Sequence, residues 1–389
     1  MLNLAMGGPR SHPTTSRIHG RRWRDFDFFM LITTVVLMIF SAFAIWSADG
    51  GGSLSFENLG VRQAAFGVIG IVMLLVLASI DYRLFASVAW LLYGSGLAML
   101  GLVLVPGVGT EIGGAQRWFD LFGITTVQPS EFAKLTTIIG LAAFISSRGP
   151  VMKEFSSFLL TIVIVAVPML LIVAQPDLDS ALILGVIWLA MMLVTHTRRI
   201  YLVGAAIVGP IAAILAYALV LQPYHRERIL QFLGLLEDPL GIGYQATQAQ
   251  LSIGSAGWTG FGLAGGTQSV FNFLAVRESD FVFAHAAAMF GFIGMVALLL
   301  AIVILLWRCL CVVEMARDSF GQLLAAGITG ILFVQAVVNI GMNVGLLPVA
   351  GIPLPFISQG LSSLWAFLFA EGILQSILVH HRKLGFQPE

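Results

Sequence analysis

Residues 28–47 read FFMLITTVVLMIFSAFAIWS, and this stretch decides the class of fold. An α-helix rises about 1.5 Å per residue, so a helix of this length crosses a hydrocarbon layer of about 30 Å. The stretch contains no charged side chain that would oppose burial in lipid. The sequence therefore predicts a membrane-spanning helix here.

Further apolar stretches of similar length follow along the chain, and we predict an all-α polytopic membrane protein with about ten transmembrane helices. The spans are predicted at roughly 28–47, 63–80, 84–106, 130–146, 156–174, 180–196, 200–222, 282–307, 320–343 and 360–379. Residues 1–27 are predicted to be a disordered basic cytoplasmic tail, 28–381 the transmembrane domain and 382–389 a short cytoplasmic tail.

Composition supports a membrane protein and excludes several function classes. The chain is 58% hydrophobic and only 10% charged, whereas a soluble domain carries about 25% charged residues. Twenty Lys and Arg balance twenty Asp and Glu. The chain therefore has no net positive charge that would attract a nucleic acid. Cys309 and Cys311 lie too close together in sequence to form a disulfide framework or a zinc site.

The distribution of charge predicts the orientation of the chain. Positively charged loops stay on the cytoplasmic side, and placing both termini there leaves few arginines outside. Those outer arginines are Arg62, Arg117, Arg226, Arg228 and Arg277. Most acidic residues fall on the outer side, so we expect polar chemistry on that face.

The longest predicted outer segment, residues 223–281, is too long for a structureless loop and should contain short helices. Within it, Gly260 to Gly265 match the GxGxxG dinucleotide fingerprint letter for letter. That fingerprint needs a strand before it and a helix after it within a βαβ unit. We therefore interpret these glycines as sites of close backbone packing and expect no nucleotide cofactor.

Two features place charge inside predicted spans. Glu131 and Lys134 lie three residues apart after a helix start at Pro129, so they share one helix face and can pair. Charges in lipid usually face a polar interior, and the pair is equally consistent with a structural strut and with site-lining residues. Glu371 in the tenth span is a weaker candidate because no sequence neighbour can pair with it.

Arginines beside the spans could bind an anionic head group. Arg226 and Arg228, next to His225, carry guanidinium groups that can bind phosphate in a bidentate manner. Arg117 and Trp118 combine such a group with an amphipathic ring. For both sets the alternative is an anchor at the membrane interface.

Asp280 lies where the chain re-enters the membrane at the eighth span. A carboxylate between water and a low-dielectric region can have a raised pKa and act as a base. From the residues alone, it is equally interpretable as an N-terminal helix cap.

Several motifs in order resemble the SEDS family, the multispanning RodA and FtsW proteins of bacterial cell-wall synthesis. The resemblance extends from about residue 26 to 384. The motifs are GAQRW at 114–118, QPSEFAK at 128–134, QPDL at 175–178, GYQ at 243–245, IGSAG at 253–257, NIGM at 339–342 and GIPLPFIS at 351–358. The GIPLP stretch is more similar to RodA than to FtsW.

The resemblance implies a glycosyltransferase that polymerises lipid II outside the cytoplasmic membrane together with a class B penicillin-binding protein. It implies Asp280 as the catalytic residue. It also implies that Arg117, Glu131 and Lys134 belong to the site. We expect Trp118, Arg226, Arg228 and Ser358 to contact substrate as well, with membrane lipids and no nucleic acid as further partners.

The chain departs from the family pattern near the expected site. Ala275 and Val276 stand where the family usually has Pro-Glu, and Ala288 and Met289 stand where it usually has Glu-Glu. The missing acids could slow or abolish activity if they hold a divalent cation, Mg or Mn, or tune Asp280. Glu278 and His285 are nearby residues that could compensate.

The implied reaction needs little chemical machinery. Lipid pyrophosphate is a good leaving group, so one carboxylate base and cationic stabilisation are sufficient. A single displacement inverts the anomeric centre. Alternatives are a lipid II flippase that uses Glu131 and Lys134 in a translocation path, and a catalytically weak scaffold that activates a penicillin-binding protein.

Overall fold

The computed structural model describes residues 23–52, 54–112, 115–121, 123, 125–195, 197–219, 223–235, 242–264, 274 and 276–380. The predicted tails at 1–22 and 382–389 lie outside these described residues. Residues 23–27, which the sequence assigns to the disordered tail, are ordered. Trp23–Asp25 form a 3₁₀ turn, and the side chain of Asp27 caps the first helix by accepting from the Met30 amide.

The described chain is mainly helical, as predicted. Its helices are α1 (Phe28–Ala48), α2 (Leu59–Ser79), α3 (Arg83–Ser87), α4 (Ala89–Val103), α5 (Pro129–Arg148), α6 (Phe155–Ala174), α7 (Leu178–Leu193), α8 (Arg199–Leu219), α9 (Pro223–Phe232), α10 (Ile242–Ser255), α11 (Val282–Met315), α12 (Ser319–Asn343) and α13 (Leu361–His380). Helices α9 and α10 confirm that the segment 223–281 contains short helices.

A small antiparallel sheet, which the all-α prediction did not include, lies between α4 and α5. Its strands are β1 (Thr110–Ile112), β2 (Ala115–Leu121) and β3 (Thr125–Val127), in the order β1-β2-β3. Phe119 pairs with Val127 across β2 and β3. The sheet leads directly into α5, whose first residue, Pro129, suits a helix start because a proline there loses no hydrogen bond.

Seven described helices are long and apolar enough to cross a membrane, and three shorter apolar helices fall at the remaining predicted spans. The exposed surface of α1 shows what surrounds them. One stripe of the helix carries large apolar side chains that are each at least half exposed, namely Phe29, Ile32, Val36, Ile39 and Phe43. No residue of this stripe is charged. The opposite face buries polar groups, so α1 is suited to lipid around it and to protein behind it.

Hydrogen bonds between residues far apart in sequence join the ends of different helices. At one end Arg308 binds Asp27, and Ser376 donates to the carbonyl of Ile80. At the other end Arg277 donates to the carbonyl of Ala48, and the amide of Gln128 donates to Ser362. Helices α1, α2, α5, α11 and α13 therefore run between the same two ends, and we call the second, which holds residue 280, the site end.

Two predicted spans are interrupted. The third divides into α3 and α4 at Val88. In α11, Gly291 has φ of 62° and ψ of −166°, and the helix is broken there.

The segment 257–261 fills the break in α11. The amide of Phe261 donates to the carbonyl of Ala288 at 2.7 Å, while the amide of Phe292 donates to the carbonyl of Gly257 at 2.9 Å. A Cβ atom on Gly260 would lie 2.3 Å from the carbonyl oxygen of Met289. Close backbone packing by the glycines of the GxGxxG match is thus confirmed for Gly260. The segment also satisfies backbone groups that a broken helix in lipid would leave unpaired.

Candidate active site

Asp280 lies on a turn, residues 276–281, that is fixed through successive backbone carbonyls. The carbonyl of Glu278 accepts from the amide of Gln359 at 2.9 Å, and that of Ser279 accepts from the Ser358 hydroxyl at 2.7 Å. The carbonyl of Asp280 accepts from the side-chain amides of Asn339 at 3.2 Å and Asn343 at 3.1 Å. The turn is therefore held by α12 and by the loop before α13.

The interpretation of Asp280 as a helix cap is wrong. The residue at the N-cap of α11 is Phe281, which has no capping side chain. The amide of Ala284, in the first turn, donates instead to Oδ1 of Asn343 at 3.2 Å. The Asp280 carboxyl accepts from the Ser279 hydroxyl at 3.2 Å and is available for another role.

The surroundings of Asp280 make it a stronger base. The residue as a whole is only partly buried, and its carboxyl group is desolvated by the protein atoms around it. This burial raises the pKa of Asp280 to about 6, further helped by the negative charge of Asp179. The Ser279 hydrogen bond and the positive charges of Arg228 and Arg117 act in the opposite direction.

Arg117 and Arg228 are brought to the same region by two carboxylates of one helix start. Arg117 on β2 lies 3.7 Å from Asp177, the N-cap of α7, and its guanidinium is 4.7 Å from the centre of the Trp118 ring. Arg228 on α9 binds Asp179, in the first turn of α7, at 3.1 Å. Asp179 also accepts from the amide of Gly351 at 2.9 Å.

Asp177 and Asp179 are the site residues that the sequence analysis missed as such. Asp177 was visible within the QPDL motif, but nothing local showed that either acid orients an arginine that is distant in sequence. Arg226 lies on α9, as Arg228 does, and is half-buried with interactions of its own. The side chain of His225 lies outside the described part of the chain.

Glu131 and Lys134 form the expected pair inside α5. Their charged atoms are 2.8 Å apart, and the side chains are 3% and 0% exposed. One carboxylate oxygen of Glu131 has no hydrogen-bond partner among the described residues. The pair braces α5 close to the site end, and contact with substrate stays a prediction.

Ser358, which the sequence analysis expected to contact substrate, makes hydrogen bonds within the protein. It is 2% exposed, and its hydroxyl accepts from the amide of Leu354 while donating to the carbonyl of Ser279. Because both bonds are internal, Ser358 positions the turn that carries Asp280.

The residues suggested as compensating for missing acids occupy different surroundings. Glu278 lies on the Asp280 turn and is partly exposed, whereas His285 is fully buried beside Ala44 of α1. Ala288 and Met289 are buried at the break in α11.

A divalent cation held by protein ligands alone does not fit the described residues. No group of three or more His, Cys, Asp or Glu among them is arranged to hold a metal ion. The carboxylates of Asp177 and Asp179, near Asp280, are paired with arginines.

The fold and the site define a multi-pass membrane protein with a basic, carboxylate-containing site at one end of its helix bundle. A family profile described as "Cell cycle protein", of the FtsW, RodA and SpoVE proteins, matches residues 23–383. The chain belongs to this family.

Relatives are similar over nearly their whole length. The chain is 36% identical over 359 residues to the peptidoglycan glycosyltransferase MrdB of Escherichia coli K12, covering 92% of this chain and 94% of that protein. It is 35% identical to the stage V sporulation protein E of Bacillus subtilis, with 91% and 95% covered.

Solved structures share the fold. A chain from a peptidoglycan synthase complex superposes with a TM-score of 0.78 at 29% identity, covering 92% of this chain and 98% of that one. The rod shape determining protein RodA of Thermus thermophilus gives a TM-score of 0.68 at 26% identity, with 93% and 99% covered.

Proposed function

We propose that this protein is a peptidoglycan glycosyltransferase that polymerises lipid II on the outer face of a bacterial cytoplasmic membrane. The observation that carries the proposal is the position of Asp280, a carboxyl group of raised pKa on a fixed turn near Arg117 and Arg228. The activity of MrdB and the near full-length similarity support it.

In the proposed reaction a sugar hydroxyl of one lipid-linked saccharide attacks the anomeric carbon of a second one. The hydroxyl proton passes to the Asp280 carboxylate as the new carbon–oxygen bond forms. The bond from the anomeric carbon to the lipid pyrophosphate breaks, and its electron pair leaves with the phosphate oxygen. Attack opposite the leaving group inverts the anomeric centre.

The arginines supply the positive charge that the departing pyrophosphate requires. Guanidinium groups bind phosphate oxygens with fixed geometry, and the bonds to Asp177 and Asp179 hold Arg117 and Arg228 in place before substrate arrives. Such preorganised charge contributes most where water is excluded.

We infer that the partner is a transpeptidase of the class B penicillin-binding type. The solved relative that belongs to a synthase complex for polymerization and crosslinking supports this. Co-purification of the two proteins from a membrane extract tests it, and a transpeptidase that does not co-purify would contradict it.

Polymerisation of lipid II by purified Asp280→Asn protein tests the proposed activity. The amide has nearly the same shape but cannot accept the proton, so we expect the rate to fall by about 10²–10⁴ with unchanged expression and thermal stability. A folded variant that polymerises at the parental rate would overturn the catalytic assignment. Parallel assays with and without a chelator measure any requirement for a divalent cation.

The same variant separates an enzyme from a lipid II flippase. Lipid movement across vesicles needs no proton abstraction at this residue, so a flippase would retain transport in Asp280→Asn. Loss of polymer together with intact lipid movement would assign the carboxylate to the transferase reaction.

A further inference from the structure

We propose that Asn339 and Asn343 of α12 are positioning residues that set where the carboxylate of Asp280 points. This inference rests on the proposed function. Asn339 and Asn343 are one helical turn apart, so their side chains share one face of α12, and both are 0% exposed.

The side-chain amides of Asn339 and Asn343 converge on one atom. Nδ2 of Asn339 and Nδ2 of Asn343 donate to the backbone carbonyl of Asp280 at 3.2 and 3.1 Å. A carbonyl oxygen has two lone pairs and can accept both bonds. The peptide plane of the residue that carries the base is thereby fixed from α12, without occupying the carboxyl group.

Asn343 also connects the turn to the start of α11. Its Oδ1 accepts from the amide of Ala284 at 3.2 Å, which satisfies one of the donors that a helix start leaves open. Its Nδ2 also donates to the carbonyl of Asn339 at 2.8 Å. One buried side chain therefore ties Asp280, α11 and α12 together.

Asn339 fixes the loop before α13, which forms a second wall of the site. Its Nδ2 donates to the carbonyl of Ile352 at 2.8 Å, in the loop that precedes α13. The neighbouring Gly351 donates its amide to Asp179, the partner of Arg228. Asn339 thus links the backbone of Asp280 to the segment that contacts Asp179, the partner of Arg228.

The charged groups around Asp280 show how a charge introduced at position 343 would affect its pKa. Arg228 and Arg117 favour its carboxylate form, and Asp179 opposes it; Glu278 and Arg277 lie on the same turn. A negative charge at position 343 would add a second opposing group and raise the pH at which the base becomes active.

The test compares kcat, KM and the pH profile of lipid II polymerisation by purified full-length protein. Asn343→Ala and Asn339→Ala should each lower kcat about 10- to 100-fold and leave KM within about twofold, because a misplaced base slows reaction more than binding. Asn343→Asp keeps an acceptor for Ala284 but loses both donors. It should lower kcat and move the acidic limb of the profile to higher pH.

Gln335→Met is the matched control. Gln335 is also a fully buried amide on α12, and its amide atoms have no hydrogen-bond partner among the described residues. We expect parental kcat and pH profile for it. Folding of every variant is checked by size exclusion and thermal unfolding, and kcat is expressed per folded molecule.

Two outcomes would overturn the proposal. Folded Asn343→Ala or Asn343→Asp with parental kcat and pH profile would show that the side chain only stabilises the fold. A rise in KM with unchanged kcat would show that it contacts substrate. Asp280→Asn is assayed beside these variants to separate the two proposals. Full activity of Asp280→Asn would contradict the proposed function. Inactive Asp280→Asn beside fully active Asn343 variants would contradict only the positioning role.

Discussion

At the scale of single residues, Asp280 combines a fixed backbone with a carboxyl group in an environment that disfavours its charge. Burial is the main cause of the raised pKa, and two arginines limit the rise. A pKa of about 6 gives a base that is stronger than an ordinary aspartate yet still mostly ionised at neutral pH.

The pH dependence of the rate follows from this value. The carboxylate is the active form, so the rate should rise with pH, reach half its maximum near pH 6 and fall about tenfold per unit below that. Initial rates of polymerisation between pH 4.5 and 8 provide the measurement. An acidic limb centred near pH 4 would mean that the carboxyl is not desolvated in the active protein.

The Glu131–Lys134 pair predicts a non-additive double mutant. Lys134→Met leaves a buried carboxylate without its partner and should destabilise the protein by about 3–5 kcal/mol. Adding Glu131→Gln removes that charge, so the double variant should be more stable than Lys134→Met alone. Thermal unfolding of the parent, both single variants and the double variant measures the coupling, and strictly additive effects would show that the two side chains do not interact.

At the scale of elements, the break in α11 determines how residues 256–264 pack. The turn with Asp280 leads into the first part of α11, and this part ends at Gly291, where the segment 257–261 supplies the hydrogen bonds. A Cβ atom on Gly291 would lie 2.3 Å from the backbone nitrogen of Gly260. Each of these two glycines is therefore required by the backbone of the other.

Gly291→Ala should be strongly destabilising. Its φ of 62° and ψ of −166° fall in a region that essentially only glycine adopts, which disfavours a side chain by about 1–3 kcal/mol, and the backbone overlap adds to this. Gly185→Ala in α7 is the matched control, because a Cβ there meets nothing within 4 Å and should stabilise by about 0.5–1 kcal/mol. Thermal unfolding compares the two, and equal stability would contradict the close packing at the break.

At the scale of the whole molecule, the helices run between two polar ends, and the site end gathers α5, α7, α9, α11, α12 and the small sheet. A site assembled this way needs no separate soluble domain. Its orientation in the membrane is predicted by the bias of Lys and Arg and is open to direct test.

Cysteine labelling tests the orientation in a background that lacks Cys309 and Cys311. Ser255→Cys, exposed at the end of α10, should react with an impermeant thiol reagent added outside intact cells. Ser156→Cys, exposed at the start of α6, should react only after the membrane is opened. The reverse pattern would place Asp280 in the cytoplasm and exclude polymerisation on the outer face.

The helical membrane fold follows from the sequence alone, because the length of an apolar stretch is a local property. Each helix separately must be long and apolar enough to cross the hydrocarbon layer. The Glu131–Lys134 pair was also predictable, since both residues lie on one helix face. The sheet at 110–127, the break at Gly291 and the roles of Asp177, Asp179, Asn339 and Asn343 were not. The break and the residue roles depend on partners far away in the chain, such as Asn343 for Asp280, and only the packing of the helices decides which distant polar groups meet. The sheet pairs residues that are close in sequence, but two of its strands have only three residues, too few to show an alternating pattern.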